Sequence, residues 1–186
     1  MQPPAGSGPT ADVSVRLAWG DDATAIAGVQ TRAWPVTYDG VLPAALLDLD
    51  AVEAARAWHA SMASPPDARV RVLVALERNR VTGYVVTAPA TDPDLDPVAD
   101  AEMVDLVVDP ADRGRGHGSR LLQAAVDTVV ADRFTRLVTW SPATDERTRA
   151  FLTGAGWAPD SAHRQLDVDG AGEHLLTQVR LHTTVG

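Results

Sequence analysis

Cysteine is absent from the 186 residues, and so is lysine: all 16 basic residues are arginine. Without cysteine there is no disulfide framework, no thiolate nucleophile, no cysteine zinc site and no iron–sulfur cluster. Without lysine there is no P-loop, whose GK[ST] lysine must reach the β- and γ-phosphates. Isoleucine (Ile26) and asparagine (Asn79) each occur once, a bias that GC-rich codon usage explains without any functional cause. No apolar run approaches the roughly 20 residues that span a bilayer. Positive charge is also in deficit, at 16 basic against 25 acidic residues and a net charge of −9. Such a chain is repelled by phosphate backbones, which argues against nucleic-acid binding and, with the missing apolar run, leaves no membrane role.

What is present suits one globular domain: 45% of residues are hydrophobic and 22% charged. A chain of this length hides roughly 70% of the surface that its unfolded form exposes and needs no staples. Residues 1–11, rich in Pro, Gly, Ser and Thr, are expected to form a flexible tail ahead of a domain spanning 12–183. They lack the basic start and apolar centre of a signal peptide, so the expected location is the cytoplasm.

Periodicity then marks the elements. Val13 to Leu17 alternates as a strand. Asp21 and Asp22 are placed to cap a helix with Ile26, Val29 and Ala33 on one face, stopped by Pro35. Asp50 with Glu53 has capping-box spacing before a helix carrying Ala51, Ala55, Trp58 and Met62. Val70, Val72, Val74 and Leu76 alternate into the turn Arg78–Asn79–Arg80, and Val81 to Thr87 completes a hairpin. A Pro/Asp-rich loop over 88–100 leads to a strand from Glu102 to Val108. A helix follows over 119–132, a strand over 136–140, a helix over 144–153, and two strands flanking the turn Asp169–Gly172. The order β-α-α-β-β-β-α-β-α-β-β is an α/β (α+β) domain, with a mixed central sheet of seven strands and four helices.

The stretch Val107-Val-Asp-Pro-Ala-Asp-Arg-Gly-Arg-Gly-His-Gly-Ser-Arg120 carries the chemistry. A strand ends, glycines 114, 116 and 118 form a loop, and a helix begins. Glycine lets main-chain N–H groups converge on one oxyanion, and the helix adds its partial positive end. Arg113, Arg115 and Arg120 put positive charge there in an otherwise acidic protein. The unit reads as a diphosphate cradle. Its G-x-G-x-G spacing, set off from the strand by Asp-Pro-Ala-Asp, fits a dinucleotide fingerprint poorly.

These residues resemble the GNAT superfamily of N-acetyltransferases, whose loop reads Arg/Gln-x-x-Gly-x-Gly/Ala after a strand ending V-x-P. Here that is Arg113-Gly-Arg-Gly116-His-Gly118 after Val108-Asp-Pro110. Asp145 to Trp157, with Phe151, resembles the family's N-x-x-A-x-x-F-Y-x-x-x-G-F segment, and Ala33 to Pro43 resembles its acceptor-side segment. The resemblance implies a mostly antiparallel sheet and acetyl-CoA as cosubstrate. It implies that Val107 and Val108 hold the pantetheine arm. Arg113, Gly114, Arg115, Gly116, His117, Gly118 and Ser119 would hold the pyrophosphate, with Asp145 and Phe151 also beside the cosubstrate. An amine would attack the thioester directly, with no covalent enzyme intermediate. The implied partner is a small-molecule or peptide amine, in a bacterial protein of a family that commonly dimerises.

An ammonium must lose a proton before it attacks, and two carboxylates precede the loop. Glu102 ranks first by family position, although it reads equally well as an exposed strand start. Asp105 lies mid-strand, where alternation puts it opposite Glu102 unless a bulge brings both toward the cleft. Leu152 stands where the family commonly has a tyrosine acid, so no acid is assigned; Ser141, Tyr38 or water are open. Asp145 doubles as a helix cap. Trp34 and Tyr38 are the candidate acceptor wall; Trp58, on an apolar stripe, reads as core. His117 is expected to face solvent, and the five histidines show no metal-ligand spacing. The alternative function is a non-catalytic acyl-CoA-binding sensor or interaction module. A nucleotide-binding oxidoreductase rests on the glycines alone.

Overall fold

Alternating Val, Leu and Ala residues build the middle of a sheet whose two faces are covered by helices with one apolar stripe each. The computed structural model describes residues 13–186, so the expected tail over 1–11 lies outside the described residues. The strands are β1 (Val13–Leu17), β2 (Arg71–Glu77), β3 (Arg80–Pro89), β4 (Asp100–Val108), β5 (Arg136–Pro142), β6 (Ala158–Asp167) and β7 (Leu175–Thr184). They form one seven-stranded sheet in the order β1-β2-β3-β4-β5-β7-β6. Only β4 and β5 run parallel; the other pairs are antiparallel. The helices are α1 (Ala23–Thr37), α2 (Ala44–Leu47), α3 (Ala51–Ala63), α4 (His117–Ala131) and α5 (Glu146–Gly154). This is the mixed, mostly antiparallel α/β domain that the element order predicts, with one short helix more. That extra turn, α2, starts from Pro43, whose fixed φ suits a helix start.

Against one face, Leu121, Leu122, Ala125 and Val129 of α4 pack on Leu73, Ala75, Val85 and Met103, together with Leu152 and Trp157. On the other, Ile26, Val29 and Ala33 of α1 meet Val74, Leu76, Tyr84 and Val107. Odd and even residues of β2 go to different faces, as period two requires. Each fully buried Leu, Ile or Val contributes roughly 2 kcal/mol. Among the described residues no helix is long and apolar enough to cross a membrane.

Three local expectations are corrected. Pro35 lies inside α1, which continues to Thr37 and closes with Tyr38 N–H bonded to the Trp34 carbonyl at 2.9 Å. So near the helix end, proline removes one hydrogen bond without ending the turn. Asp22 does not cap α1 with its side chain: its carboxylate accepts from Trp19 N–H at 2.7 Å and from Arg16 at 2.7 and 3.0 Å. The hairpin turn is tighter than expected, since Arg80 is already in β3. Arg78 and Asn79, at φ 49° and 68°, make the two-residue connection.

Two features of the sheet prepare a site. The β4–β5 ladder ends at Glu102 opposite Val138, so from Val104 to Val108 the two strands diverge and β4 has a free main-chain edge. In addition, β3 pairs Val86 with Asp105 but Thr87 with Met103, which leaves Val104 as an extra, bulged residue.

Candidate active site

The divergence of β4 from β5 opens a cleft of about 720 Å³. Its floor is β4, and its walls are the glycine loop with the start of α4 and the last turn of α1, which meet where Arg113 reaches Thr37.

Ion pairs fix the loop end. The Asp109 carboxylate accepts from Arg32 of α1 at 2.9 and 2.7 Å. Asp112 accepts from Arg80 at 2.7 and 2.8 Å, and these hydrogen bonds hold its carboxyl below the usual range. Both acids are buried at the ends of the one-turn helix Pro110–Asp112. Gly114 and Gly116 then adopt φ 77° and 83°, and Gly116 caps α4 in the left-handed region that glycine alone enters without strain. Gly83 on β3 is needed for another reason: a Cβ there would lie 2.6 Å from the Val107 carbonyl oxygen.

Two guanidiniums of the cleft lining are without a carboxylate partner among the ion pairs of the described residues, Arg113 from the loop and Arg147 from the first turn of α5. Arg113 bonds the Val108 carbonyl at 3.3 Å and the Thr37 hydroxyl at 2.9 Å. Burial, and then the charge of Arg147, lower its pKa. A cation in the first turn of a helix opposes the helix dipole. Two mutually repelling cations beside the α4 N-terminus fit a bound polyanion. The gap between β4 and β5 fits an extended arm, so the cleft can hold acetyl-CoA.

Toward the end of α1, Trp34 and Tyr38 meet edge to face with centroids 5.7 Å apart. Behind them Asp105 accepts a hydrogen bond from the Tyr84 hydroxyl at 3.0 Å. Burial raises its carboxyl from 3.8 to about 6, and the donors Tyr84, Leu106 N–H and Trp34 offset part of that rise. The Trp34 Nε1 proton lies close to this carboxylate but is buried without a hydrogen bond of normal geometry to any partner. Both tyrosines are pushed above their ordinary pKa by burial and by Asp105, so their hydroxyls stay protonated donors.

The bulge at Val104 puts Glu102 and Asp105 on the same face of β4, which is the exception to alternation that the sequence leaves open. Only Asp105 reaches the cleft lining. Glu102 lies buried farther along, raised by burial and influenced by Arg164, Asp92 and Arg180. Trp34, Tyr38, Val107 and Val108 line the cleft, as do Arg113, Gly114, Gly116, Gly118 and Ser119. Asp145 and Phe151 line it too, with Asp145 capping α5 through Thr148 N–H at 2.9 Å. Arg115 does not: its guanidinium turns to Glu77 and Asp112, each at 3.1 Å.

His117 is corrected, because its ring is 1% exposed and packs beneath the loop with Nε2 3.6 Å from Glu77. Its backbone still begins α4, and folding the ring inward leaves the outer side of the loop open. Glu77, Asp112 and His117 form a cluster with ligating atoms within 4.8 Å, yet both carboxylates already carry guanidiniums. Trp58 is core, packed on Tyr84 and bonded to Gln30. Leu152 is 1% exposed, so the side chain at the usual tyrosine position is part of the packing under α5. Sequence reasoning missed Tyr84 and Arg147. Arg147 carried a readable signal, a cation in a helix's first turn.

A family model described as the acetyltransferase (GNAT) family matches residues 34–157. Comparison with curated protein sequences finds no match. Among solved structures, a Salmonella typhimurium protein solved with its cofactor acetyl-CoA is 19% identical. Its TM-score is 0.69, and the match covers 94% of this chain and 95% of that one. A ribosomal-protein-alanine N-acetyltransferase from Brucella melitensis is 17% identical, with TM-score 0.70 and coverage of 92% and 99%. An N-acetyltransferase from Thermoplasma acidophilum in complex with coenzyme A is 13% identical, with TM-score 0.65 and coverage of 92% and 98%. At these identities the likeness is one of fold.

Proposed function

The chain belongs to the GNAT acetyltransferase family, and we propose that it moves an acetyl group from acetyl-CoA to a primary amine by direct attack, with Asp105 as the base. The observation that carries this reading is a carboxylate raised to about 6 at the floor of a cleft, one wall of which is a glycine loop under a helix N-terminus.

The roles follow from the chemistry. Main-chain N–H groups of residues 113–119 and the α4 dipole hold the pyrophosphate, assisted by Arg113 and Arg147. The free edge of β4 at Val107 and Val108 pairs with the pantetheine arm. An acceptor ammonium has an ordinary pKa near 10.4. Asp105 takes one proton from it, and the nitrogen lone pair then forms the C–N bond to the thioester carbonyl. Main-chain donors of β4 hold the oxyanion. As the C–S bond breaks, sulfur leaves with the electron pair, and the second nitrogen proton ends on it. The proton on Asp105 passes to solvent, so each turnover releases one. A thiol with a pKa near 8.5 leaves without a strong acid, which accommodates Leu152. The same reading keeps the expected bacterial cytoplasmic setting and a homodimer.

The buried Leu152 also suits the non-catalytic acyl-CoA module, and one assay separates the two. CoA release from acetyl-CoA with a panel of amines is expected for the wild type and is expected to fall by about 100-fold or more in Asp105→Asn. Acetyl-CoA binding without release for any amine would favour the module.

A further inference from the structure

Asp105 is held by groups that take no part in the proton and acyl transfers. On β3, Val86 stands directly opposite Asp105 and Tyr84 stands opposite Val107. Period two then puts Tyr84 and Asp105 on one face of the sheet as a diagonal pair, about 7–8 Å apart at the backbone. Only a long side chain spans such a gap, and the Tyr84 hydroxyl donates to Asp105 Oδ2 at 3.0 Å. The phenol ring is itself fixed. Tyr84 is fully buried, packs with Ile26, Val29 and Ala33 of α1, and meets Trp58 of α3 edge to face with centroids 5.0 Å apart. Trp58 is tied in turn to α1, its Nε1 donating to Gln30 at 2.7 Å. A ring locked between two helices keeps its hydroxyl at one position.

The donors around the carboxylate are neutral: the Tyr84 hydroxyl from β3, the Trp34 indole from α1 and the Leu106 N–H of β4. Tyr38 of α1 also faces it, under the charge of both Asp105 and Asp145 at the start of α5. Glu102 lies farther along the same face, beside Arg164, Asp92 and Arg180. The guanidiniums of this region bond elsewhere, Arg113 to Thr37 and Val108, Arg164 to Gln178, and Arg180 to Asp160 and Asp94. Arg147 lines the cleft from α5 and acts on Arg113. Neutral donors therefore set the behaviour of Asp105, and Tyr84 supplies the side-chain hydrogen bond of ordinary geometry among them.

Resting on the N-acetyltransferase reading, we infer that Tyr84 is a positioning residue, whose hydrogen bond fixes the Asp105 carboxylate at the cleft floor and favours its charged, proton-accepting form. Burial alone pushes the Asp105 carboxyl upward, and a donor that binds the anion more strongly than the neutral acid opposes that rise. The phenol does this without competing for the proton, because burial and the charge of Asp105 keep it protonated. The proton that Asp105 takes from the acceptor still leaves to solvent, and Tyr84 donates throughout.

The test follows the Asp105 carboxyl directly, by carbon-13 NMR titration of protein labelled at aspartate, with Asp105→Asn identifying the signal. In Tyr84→Phe the midpoint is expected to rise by about one pH unit, a tenfold change in proton affinity, since a hydrogen bond to a charged group is lost while the ring is kept. Tyr38 and Tyr84 are the only tyrosines, so 3-fluorotyrosine incorporated into a Tyr38→Phe background reports on Tyr84 alone. Its more acidic phenol is a stronger donor and is expected to move the midpoint down relative to the same background with ordinary tyrosine. In CoA release with the amine panel, Tyr84→Phe is expected to move the acidic limb of kcat/KM upward with the midpoint and to lower kcat about tenfold, with KM for acetyl-CoA unchanged. Loss of CoA release in Asp105→Asn together with midpoints that neither Tyr84→Phe nor fluorination moves overturns this inference alone and leaves Tyr84 a core residue. Full CoA release by Asp105→Asn overturns the assignment of the base, and this inference with it.

Discussion

Replacing Asp105 with Asn should stabilise the fold and abolish its chemistry, and the two effects share one cause. Burial raises the carboxyl from 3.8 to about 6, so in the folded protein the charged form is disfavoured. A rise of that size corresponds to about 3 kcal/mol, at roughly 1.4 kcal/mol per tenfold change. The side chain keeps partial access to the water of the cleft, which reduces the expected effect to about 1–3 kcal/mol. The sign follows from proton binding. Between pH 4 and 6 the folded state holds the proton more tightly than the unfolded chain, so stability falls as pH rises through this window. The favourable contribution is complete below about pH 4 and gone above about pH 6. Asn keeps an acceptor for the Tyr84 hydroxyl and carries no charge. In paired denaturant melts Asp105→Asn should exceed the wild type by about 1–3 kcal/mol at pH 7.5 and converge with it near pH 4.5. Over the same range kcat/KM of the wild type should rise with pH, with its acidic limb near 6. A stability difference that does not change with pH, or an Asn variant less stable at pH 7.5, would refute the assignment of a desolvated base.

Other variants probe the surrounding parts. Gly83→Ala puts a methyl group 2.6 Å from the Val107 oxygen and should cost about 2–4 kcal/mol in denaturant melts by forcing β3 from β4. Leu152→Tyr adds a hydroxyl and ring volume at a fully buried position and should lose about 1–3 kcal/mol without gaining rate; a faster enzyme would show that an acid was missing. Arg147→Ala should weaken CoA binding about tenfold in calorimetry, with the loss reduced at high salt. Arg180→Met leaves Asp94 and Asp160 without their guanidinium partner. It should cost about 3 kcal/mol and expose residues 90–99 to limited proteolysis.

The fold was legible because its signals are local. Val72, Val74 and Leu76 alternate, and Leu121, Leu122, Ala125 and Val129 repeat at helical spacing; both patterns survive packing unchanged. The glycine loop was legible for the same reason, since left-handed φ at positions 114 and 116 belongs to the residue type. The acceptor end was less so. That Glu102 and Asp105 share a face depends on the bulge at Val104, which is set by pairing with β3 and leaves no mark in the sequence of β4 itself. The inward turn of His117 likewise depends on space beneath the loop beside Glu77, a residue 40 positions away. Pro35 misleads because it removes only one hydrogen bond and α1 runs just two residues past it.

The most direct test of the acetyl-CoA cleft is a calorimetric titration of acetyl-CoA into the wild type and into Gly116→Glu. Gly116 caps α4 at φ 83°, and a side chain there meets only the flexible end of Arg120. The substitution should therefore cost about 1–3 kcal/mol in backbone strain and leave the protein folded, while placing a carboxylate where the pyrophosphate belongs. The expected result is one-site binding to the wild type and none to the folded variant. Equal binding to both, or none to a well-folded wild type, would contradict the assignment of this cleft to acetyl-CoA.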